Sequence, residues 1–510
     1  MITGAKFHGA STFLSTLLKY GKEKPLYVYY DTDVDGLFAG HAMWDCLTKH
    51  GFKPSFKINE NRQHGVLEEG ITNSFLVVVD TGVSYTKLKE LVDDGNIVVV
   101  IDHHELEYDN FHDEYPTQYK GVLNVTPKED FIYYENKDKN SLGFIINNQY
   151  EFENEKYRFL SGCGVVMEVL HNIFMGYSDD EHVAWVGLTL LSDVRDIENP
   201  LARHILEQTY GLNVYKTKVL GHLVNQVGEN EFAISRFRFD RNYIDYTFNP
   251  VLNAMFRFNR GENLIRLLRG YKEPMLKTIR KDQADVMDEL KKRMKVVKYS
   301  EYDNLDILIV KKNPMDYFDV SNFIGYLAND HLKTGRNAVI IAIDGTKFVR
   351  GSFRGTHTDV DYREILSKHG LIALGHKVAF GLKSFTNKKA VWNSIMKDIY
   401  EAERVSKSEL QVHKVKNLNQ YGKKLIEYAN ENQYLLSNHF HVVKYTGGIF
   451  VVSKETAKMT EYKVSGVLVT SFDKKLTPKN AIIVPSLSNG FTNLFLQKAP
   501  NIDTGDDDNG

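Results

Sequence analysis

The sequence predicts an α/β fold: a parallel-sheet domain joined by a long helix to a second α/β domain, followed by a small C-terminal β-rich module. Three apolar runs, at 26–30, 76–79 and 97–101, have the length and β-branched composition of buried parallel strands. Helix-like segments at 38–50 and 85–94 alternate with these runs, which indicates repeated βαβ units. At 510 residues, 42% hydrophobic and 25% charged, the chain can form several domains with ample cores.

The patterns that follow the first domain predict further divisions of the chain. The polar and acidic stretch 105–155 is interpreted as an insertion over the sheet edge, and the run 275–297, which has few helix breakers, as a long helix. The predicted divisions are a first domain at 1–255, a connecting helix at 256–300, a second α/β domain at 301–395, a helical linker at 396–435, a β-rich module at 436–498 and an acidic disordered tail at 499–510.

Composition excludes several classes of protein. Two cysteines, Cys46 and Cys163, do not make a disulfide framework, and without a CxxC pair a zinc–thiolate site is not indicated. Neither a signal peptide nor an apolar run of transmembrane length is visible. We therefore expect a cytoplasmic protein (in the host cytoplasm if the chain is viral) that is monomeric and has no membrane partner.

Acidic side chains follow the first apolar run at alternating positions. Asp31, Asp33 and Asp35 would share one face of an extended backbone, and Gly36 allows a tight turn into the next helix. An Asp-rich turn without function is the alternative for this motif alone. An EF-hand loop is excluded, because its twelfth position would be Ala42 instead of a bidentate glutamate.

The other two apolar runs also end in acidic or imidazole side chains. Asp80 follows the second run, and Asp102, His103 and His104 follow the third. Each aspartate alone could simply cap a helix, but the carboxyl ends of parallel strands meet at one sheet edge, where α/β proteins place their sites. Asp193 ends a later apolar helix and is the fourth element; the nearby Asp196 is its rival.

This set of carboxylates and imidazoles has the chemistry of a divalent metal site. Hard oxygen ligands with one or two imidazoles suit Mn²⁺ or Mg²⁺ better than Zn²⁺. Two ions that share a bridging carboxylate activate water and neutralise a phosphoryl group during in-line displacement. The sequence therefore predicts two Mn²⁺ or Mg²⁺ ions and hydrolysis of a phosphoester.

The second α/β domain offers a phosphate grip. Ser352 and Arg354 lie between two glycines, and Gly375 and His376 follow about twenty residues later. Arginine binds phosphate in a bidentate manner, which makes Arg354 the candidate clamp. The alternatives are an ordinary turn and a buried histidine.

These motifs together resemble the DHH phosphoesterase superfamily and, within it, the RecJ family of single-strand-specific exonucleases. The resemblance covers roughly residues 20–395 and is carried by DxDxDG at 31–36, DTGVS at 80–84, DHH at 102–104, SDV at 192–194, GSFR at 351–354 and LGHKVAFGL at 374–382. Weaker support comes from the segments 61–65, 124–127, 161–165 and 250–257.

The resemblance implies a role for each candidate residue. The direct metal ligands would be Asp33, Asp35, Asp80, His103 and Asp193, with Asp80 bridging the ions and Asp31 a ligand or a neighbour of the ligands. His104 would face the scissile phosphate and Asp102 would orient the two histidines. The phosphate contacts would come from Arg354, Ser352, Gly375, His376 and Arg257.

Three positions depart from the RecJ pattern. Val251 stands in place of an arginine, Phe256 in place of a glycine, and Leu374 in place of the first glycine of a Gly-Gly-His motif. These departures concern how the strand is gripped and leave the expected metal ligands in place.

The resemblance implies an exonuclease that degrades single-stranded DNA from 5′ to 3′ and releases mononucleotides. It also implies roles in DNA repair and recombination, with a replication or recombination protein as a further partner. Residues 254–298 carry 13 basic and 6 acidic side chains, as a phosphate track requires, although a solvated helix face is the alternative. Two other functions stay open: a DHH phosphodiesterase acting on short oligonucleotides, cyclic dinucleotides or polyphosphate, and a non-catalytic nucleic-acid-binding scaffold.

Overall fold

The chain divides into two compact units, residues 1–283 and 284–510. The computed structural model describes residues 2–7, 9–58, 66, 68–104, 132–149, 156–193, 195, 199–227, 243–297, 302, 304–332, 336–357, 360–405, 412–431, 442–447, 450–456, 459–471, 473–488 and 491–498. The finer domain limits proposed from the sequence stay predictions.

The first unit is built on a six-stranded sheet in the order β2-β1-β3-β4-β6-β5. Its strands, in chain order, are β1 (Leu26–Tyr30), β2 (Ser55–Ile58), β3 (Phe75–Val79), β4 (Ile97–Asp102), β5 (Ile132–Asn136) and β6 (Ser141–Asn147). All neighbours are parallel except the hairpin of β5 and β6. β3 and β4 are buried along their whole length, as expected for central strands covered on both faces.

The register of this sheet aligns the ends of its central strands. Tyr30 of β1 pairs with Val79 of β3, and Val79 pairs with Ile101 of β4. The residues that follow these positions are Asp31, Asp80 and Asp102. Three acidic side chains therefore begin at the same level of one sheet edge.

Helices complete the first unit. They are α1 (Gly9–Tyr20), α2 (Val34–Lys49), α3 (Tyr85–Asp93), α4 (Gly162–Ile173), α5 (Asp180–Ser192), α6 (Pro200–Gly211), α7 (Val219–Val227), α8 (Asn249–Arg257) and α9 (Gly261–Leu268). Ser84 caps α3 and Ser161 caps α4, each through a hydrogen bond from a backbone amide three residues later. α2 and α4 pack together and carry much of the candidate site.

The second unit begins within α10 (Ile279–Arg293) and contains two sheets. The first has the order β11-β12-β10-β9-β8-β7 and is antiparallel except between β8 and β9. Its strands are β7 (Lys295–Val297), β8 (Leu305–Lys311), β9 (Asn337–Asp344), β10 (Lys347–Arg354), β11 (Ala373–His376) and β12 (Ala379–Leu382), with helices α11 (Ile324–Leu332), α12 (Tyr362–Lys368) and α13 (Lys389–Val405).

The C-terminal sheet has seven strands in the order β13-β14-β18-β19-β17-β16-β15. They are β13 (Val412–Val415), β14 (Val442–Tyr445), β15 (Phe450–Glu455), β16 (Thr460–Val464), β17 (Val467–Ser471), β18 (Ala481–Ser488) and β19 (Phe491–Lys498), and α14 (Leu418–Glu431) packs against β17, β18 and β19. Leu418 and Leu425 of this helix enter the core of the module.

The structure confirms the predicted fold class and changes three of its details. The helix expected over 275–297 is a 3₁₀ turn at Pro274–Lys277, then α10, and then strand β7. Part of the expected insertion, 132–147, is the β5–β6 edge of the sheet, and the helices of the expected linker are interrupted by β13. The segments 61–65 and 124–127, Asp196 and the acidic tail lie outside the described residues.

In the part of the chain that the structure describes, no helix combines the length and the apolar character needed to cross a membrane.

Candidate metal centre

The loop between β1 and α2 positions the first three aspartates. Asp33 caps α2, and its Oδ1 accepts a hydrogen bond from the amide of Gly36 at 3.0 Å. A Cβ on Gly36 would lie 2.4 Å from the carbonyl oxygen of Asp31, so the tight turn requires glycine here. Asp31 is buried, and its Oδ1 accepts from the amide of Thr32 at 2.7 Å.

Asp35 is held by the beginning of another helix. Its Oδ2 accepts from the amide of Gly162 at 2.7 Å and its Oδ1 from the amide of Cys163 at 2.8 Å. These amides belong to the first turn of α4, where backbone N–H groups lack helical partners and the helix dipole favours negative charge. The N-terminus of α4 therefore fixes the orientation of a carboxylate that is only 2% exposed.

Asp80 occupies a strained and crowded position at the end of β3. Its φ of 54° lies in the left-handed region, which non-glycine residues seldom adopt. Its side chain is buried, and a Cβ on Gly162 would lie 2.0 Å from its Oδ1. The structure thus holds a carboxylate where the backbone conformation is unfavourable, a pattern that occurs at functional sites.

The two histidines after β4 point to different neighbours. His103 is 2% exposed, and its Nε2 lies 3.1 Å from Oδ1 of Asp80 and 3.8 Å from Oδ2 of Asp35. His104 is partly exposed, and its Nδ1 lies 2.9 Å from Oδ1 of Asp102. Asp102 thus contacts His104, and the role expected for it in orienting both histidines stays a prediction.

Asp193 reaches the same histidine from α5, whose C-terminus it caps. Its Oδ2 lies 3.7 Å from Nδ1 of His103 and 3.7 Å from Nε of Arg195. Asp193 therefore lies beside His103, and the preference for it over Asp196 stays a prediction because Asp196 lies outside the described residues.

Two overlapping groups of ligand atoms result from these positions. Asp80, Asp102, His103 and His104 place one ligand atom each within 4.8 Å of one another, and so do Asp35, His103 and Asp193. His103 belongs to both groups. Asp31 and Asp33 belong to neither, and the bridging role expected for Asp80 stays a prediction.

The donor set fits divalent ions. Oδ1 of Asp80 is buried and has no hydrogen-bonding partner among the described residues, although Nε2 of His103 lies 3.1 Å from it. A buried carboxylate oxygen without a donor is costly unless a cation supplies the missing interaction. Carboxylates with imidazole suit Mn²⁺ or Mg²⁺, so these residues could hold such ions.

The crowding of carboxylates shows in their pKa values. Burial, together with the charges of Asp35 and Asp33, raises the pKa of Asp80 well above its usual range. Burial and the charge of Asp193 raise the pKa of Asp35 to about 7, although the two α4 amides lower it. These carboxylates resist ionising together without a cation.

Asp193 and His104 shift for related reasons. Burial raises the pKa of Asp193 to about 6, while Arg195 and His104 act in the opposite direction. Burial lowers the pKa of His104, but the Asp102 carboxylate outweighs it and raises this pKa to about 10. The region is therefore strongly electronegative.

The candidate phosphate residues lie apart from this cluster in the sequence, and the structure places most of them on strands. Ser352 and Arg354 are on β10, and Nη1 of Arg354 donates to Oγ of Ser352 at 3.0 Å and to the carbonyl of Phe353 at 2.7 Å. Nε of Arg354 donates to Oδ1 of Asn329. The guanidinium is thus oriented by a strand and a helix, and the alternative of an ordinary turn does not apply.

The other phosphate candidates have different settings. Gly375, with a φ of 129°, and His376 belong to β11, where they pair with Phe380 and Ala379. Arg257 is the last residue of α8 and is partly buried. Their contacts with a phosphate stay predictions.

Sequence reasoning missed several supporting residues. Nδ2 of Asn147, at the end of β6, donates to the carbonyl of His104 at 2.9 Å, and Arg195 lies beside Asp193. The pattern SLGFIIN at 141–147, an apolar run that ends in a polar residue, is the signal that could have revealed β6 and Asn147. The amides that hold Asp35 have no signal in the sequence beyond the small residues at 161–164.

The chain resembles known proteins in part of its sequence and in its fold. Residues 25–191 match the family model described as the DHH family, N-terminal domain. No curated protein matches the chain.

Solved structures share the fold over most of the chain. RecJ from Thermus thermophilus in complex with Mn²⁺ has 17% identity and a TM-score of 0.65, covering 98% of this chain and 72% of its own. The complex of RecJ from the same organism with Mg²⁺ has 15% identity and a TM-score of 0.59, with coverages of 98% and 71%.

A manganese-bound exonuclease RecJ has 17% identity and a TM-score of 0.55, covering 80% of this chain and 99% of its own. Identities this low show the fold alone. The family match spans the β1, β3 and β4 ends from which the carboxylates and histidines project, and the fold match extends far beyond it. Residues 25–191 therefore match the DHH family's N-terminal domain, and the chain has a RecJ-like fold.

Proposed function

We propose that this protein is a metal-dependent exonuclease that hydrolyses the phosphodiester bonds of single-stranded DNA from 5′ to 3′ and releases mononucleotides. The observation that carries the proposal is the convergence of Asp35, Asp80, His103 and Asp193, with Asp102 and His104, into two overlapping ligand groups. The RecJ-like fold supports the choice of substrate and direction, which no contact in the structure addresses.

The buried carboxylates have the task of holding two divalent ions in fixed positions. Asp35 is fixed by two amides of α4 and Asp80 by the close approach of Gly162, so neither side chain can rotate freely. Bound Mn²⁺ or Mg²⁺ would polarise the phosphoryl group and lower the pKa of a water molecule. The Mn²⁺ and Mg²⁺ complexes of RecJ structures support this choice of cofactor.

His104 is the residue proposed to contact the scissile phosphate. It is more exposed than His103, and Asp102 fixes its ring through Nδ1. Asn147 holds the backbone carbonyl of His104. The imidazole is therefore positioned from both its ring and its main chain.

Basic and aromatic residues after α8 support a nucleic-acid substrate. Arg266 lies over the ring of Tyr271, which is 57% exposed, and Arg269 lies 4.2 Å from the ring centroid of Trp44. Exposed arginine and tyrosine suit phosphates and bases, respectively. Phe256, at the end of α8, is 2% exposed and belongs to the core, so it is not available to stack on a base.

The proposal also includes a cellular role in DNA repair or recombination in the cytoplasm. We further expect a monomeric protein with a replication or recombination protein as partner. They rest on the resemblance to RecJ.

The decisive experiment compares cleavage of different substrates by the full-length chain. Single-stranded DNA labelled at the 5′ or the 3′ end, single-stranded RNA, a cyclic dinucleotide and polyphosphate are incubated with Mn²⁺, with Mg²⁺ and with EDTA, and the products are sized. We expect metal-dependent release of a labelled mononucleotide from the 5′ end of DNA at the earliest times.

The matched control is Asp80→Asn, which keeps the shape of the side chain and removes its charge. It should bind DNA and lack cleavage. Preferred cleavage of the cyclic dinucleotide or of polyphosphate would replace the proposal by that alternative, and DNA binding without any hydrolysis by the wild type would favour the scaffold.

A further inference from the structure

A basic pocket lies on the edge of the first sheet of the second unit. It has a volume of about 300 Å³ and is formed where β7 and β8 meet the loop that follows β8. Lys295, Lys311, Lys312 and Asn313 are among its lining residues, and all four are exposed. The site proposed for catalysis uses none of them.

Carboxylates of the described residues do not neutralise the lysines of this pocket. Among the described residues, none of the three forms an ion pair. The fourth cation of the pocket, Arg293, does: its Nη1 lies 2.8 Å from Oδ1 of Asp316 and 3.7 Å from Oε1 of Glu289. The Asp316 carboxylate is therefore paired with Arg293, and it also accepts a hydrogen bond from the amide of Asn313. The pocket presents three positive charges that attract an anion.

Large apolar side chains are exposed beside these charges. Met315 is 87% exposed and lies in the turn that begins at Asn313, and Tyr317, which follows this turn, is 72% exposed. The Tyr317 ring packs edge-on against Phe318 at 5.1 Å, and Arg293 lies 5.9 Å from the Phe318 ring centroid. Phosphate-binding cations next to an exposed tyrosine are the combination that binds single-stranded nucleic acid without sequence preference.

The pocket is distinct from the candidate phosphate-binding residues Ser352 and Arg354 on β10. Through the sheet register, Arg354 of β10 is level with Ala338 of β9 and with Asp306 of β8, whereas Lys311 is at the far end of β8. Five residues along a strand and two strand spacings put Lys311 about 20 Å from Arg354. A ligand that touches both must be several nucleotides long.

We propose that this pocket is a second binding site for the backbone of single-stranded nucleic acid, in which Lys295, Lys311 and Lys312 contact phosphates and Tyr317 stacks on a base. The inference deepens the proposed function, on which it rests, because it assigns a long single strand to the same enzyme. It also predicts that short substrates do not use the pocket.

The test is a binding measurement that does not depend on cleavage. Full-length wild type and the triple variant Lys295→Gln, Lys311→Gln, Lys312→Gln are titrated against a fluorescent 20-nucleotide oligo(dT) in EDTA at several salt concentrations. If each lysine contacts one phosphate, the slope of log K against log salt falls by about 2 in the variant, and affinity falls at least about tenfold at low salt.

The matched control is Lys388→Gln, Lys389→Gln, Lys397→Gln, which removes the same charge from exposed lysines at the start and along the surface of α13 in the same unit. It should bind like the wild type. A second variant, Tyr317→Ala, should weaken oligo(dT) binding about fivefold or more and leave the binding of polyphosphate unchanged.

Several results would overturn the inference. They are equal affinity and slope in wild type and pocket variant, an equal loss in the α13 control, or a Tyr317→Ala effect that is the same for polyphosphate. Hydrolysis of a dinucleotide with Mn²⁺, measured in parallel, should be the same in wild type and pocket variant. Its absence in both would count against the proposed function and leave the binding result standing.

Discussion

Replacing Gly162 by alanine is expected to displace Asp80 and to weaken metal binding without unfolding the protein. The added Cβ would lie 2.0 Å from Oδ1 of Asp80, 2.4 Å from its Cγ and 2.5 Å from its Cβ. Since a Cβ atom almost never lies within 3.0 Å of an atom of a distant residue, the carboxylate or the start of α4 must move by about 1 Å.

Such a movement is large for a metal ligand. Ligand distances are held to about 0.2 Å, and a 1 Å displacement of a reacting group costs about 100-fold in rate. A movement of α4 instead would lengthen the hydrogen bond from Gly162 to Asp35, so either response disturbs a ligand. We expect Mn²⁺ affinity to fall about 10- to 100-fold and kcat about 100-fold.

The assay combines calorimetric titration of Mn²⁺, single-strand hydrolysis and thermal unfolding in EDTA. The control Gly164→Ala adds a methyl group on the same helix, 2.9 Å from Cδ2 of Leu160 and with no carboxylate among its three nearest atoms, and should keep Mn²⁺ affinity. The Tm of Gly162→Ala in EDTA should change by only a few degrees, because the required movement of about 1 Å is confined to Asp80 and the start of α4. Wild-type Mn²⁺ affinity in Gly162→Ala would refute the assignment of Asp80 as a ligand.

Three further predictions concern the carboxylates, the arginine and the C-terminal module. The stability of the metal-free protein should fall as the pH rises from about 4 to about 7. The reason is that Asp35, with a pKa of about 7, and Asp193, with a pKa of about 6, keep their protons in the folded state after the unfolded chain has lost them. Thermal scans in EDTA test this, Mn²⁺ should abolish the loss, and a flat metal-free profile would contradict it. Arg354→Ala should raise KM more than it lowers kcat, because Asn329 and Ser352 hold the guanidinium in place before substrate binds. Steady-state kinetics measure both constants, and an unchanged KM would argue against Arg354 as a phosphate clamp. Removing residues 406–510, after α13, should weaken binding of long single strands more than hydrolysis of dinucleotides; equal losses on both would mean that the module only supports the fold. The cut belongs there and not at 436, because β13 and α14 pack into the C-terminal sheet.

Much of the site could be predicted because its geometry follows from strand order. Each of three apolar runs ends in Asp or His, and parallel strands in register bring these ends together at one edge. The position of Asp193 beside His103 depends on how α5 packs. The sequence indicates this residue only because it follows the end of an apolar helix. Local patterns thus placed ligands on strands well and ligands on helices less directly.

Other features depend on contacts between distant residues and left little trace in the pattern. The amides of Gly162 and Cys163 bind Asp35 across 127 and 128 positions of chain. The predicted helix extends over β7, because the three residues Lys295–Val297 are too few to show the two-residue period of a strand. The β5–β6 hairpin was missed because its acidic and aromatic surroundings suggested an insertion.

The left-handed backbone of Asp80 restricts which amino acids position 80 can accept during evolution. Glycine and asparagine adopt this conformation most readily, but neither carries a negative charge, and glutamate keeps the charge on a longer side chain in an unfavourable conformation. A descendant that acquired asparagine or glycine here would retain the turn after β3 and lose the hydrolytic chemistry in one step. One amino-acid substitution at position 80 would therefore be enough to remove the proposed hydrolase activity and leave the fold intact.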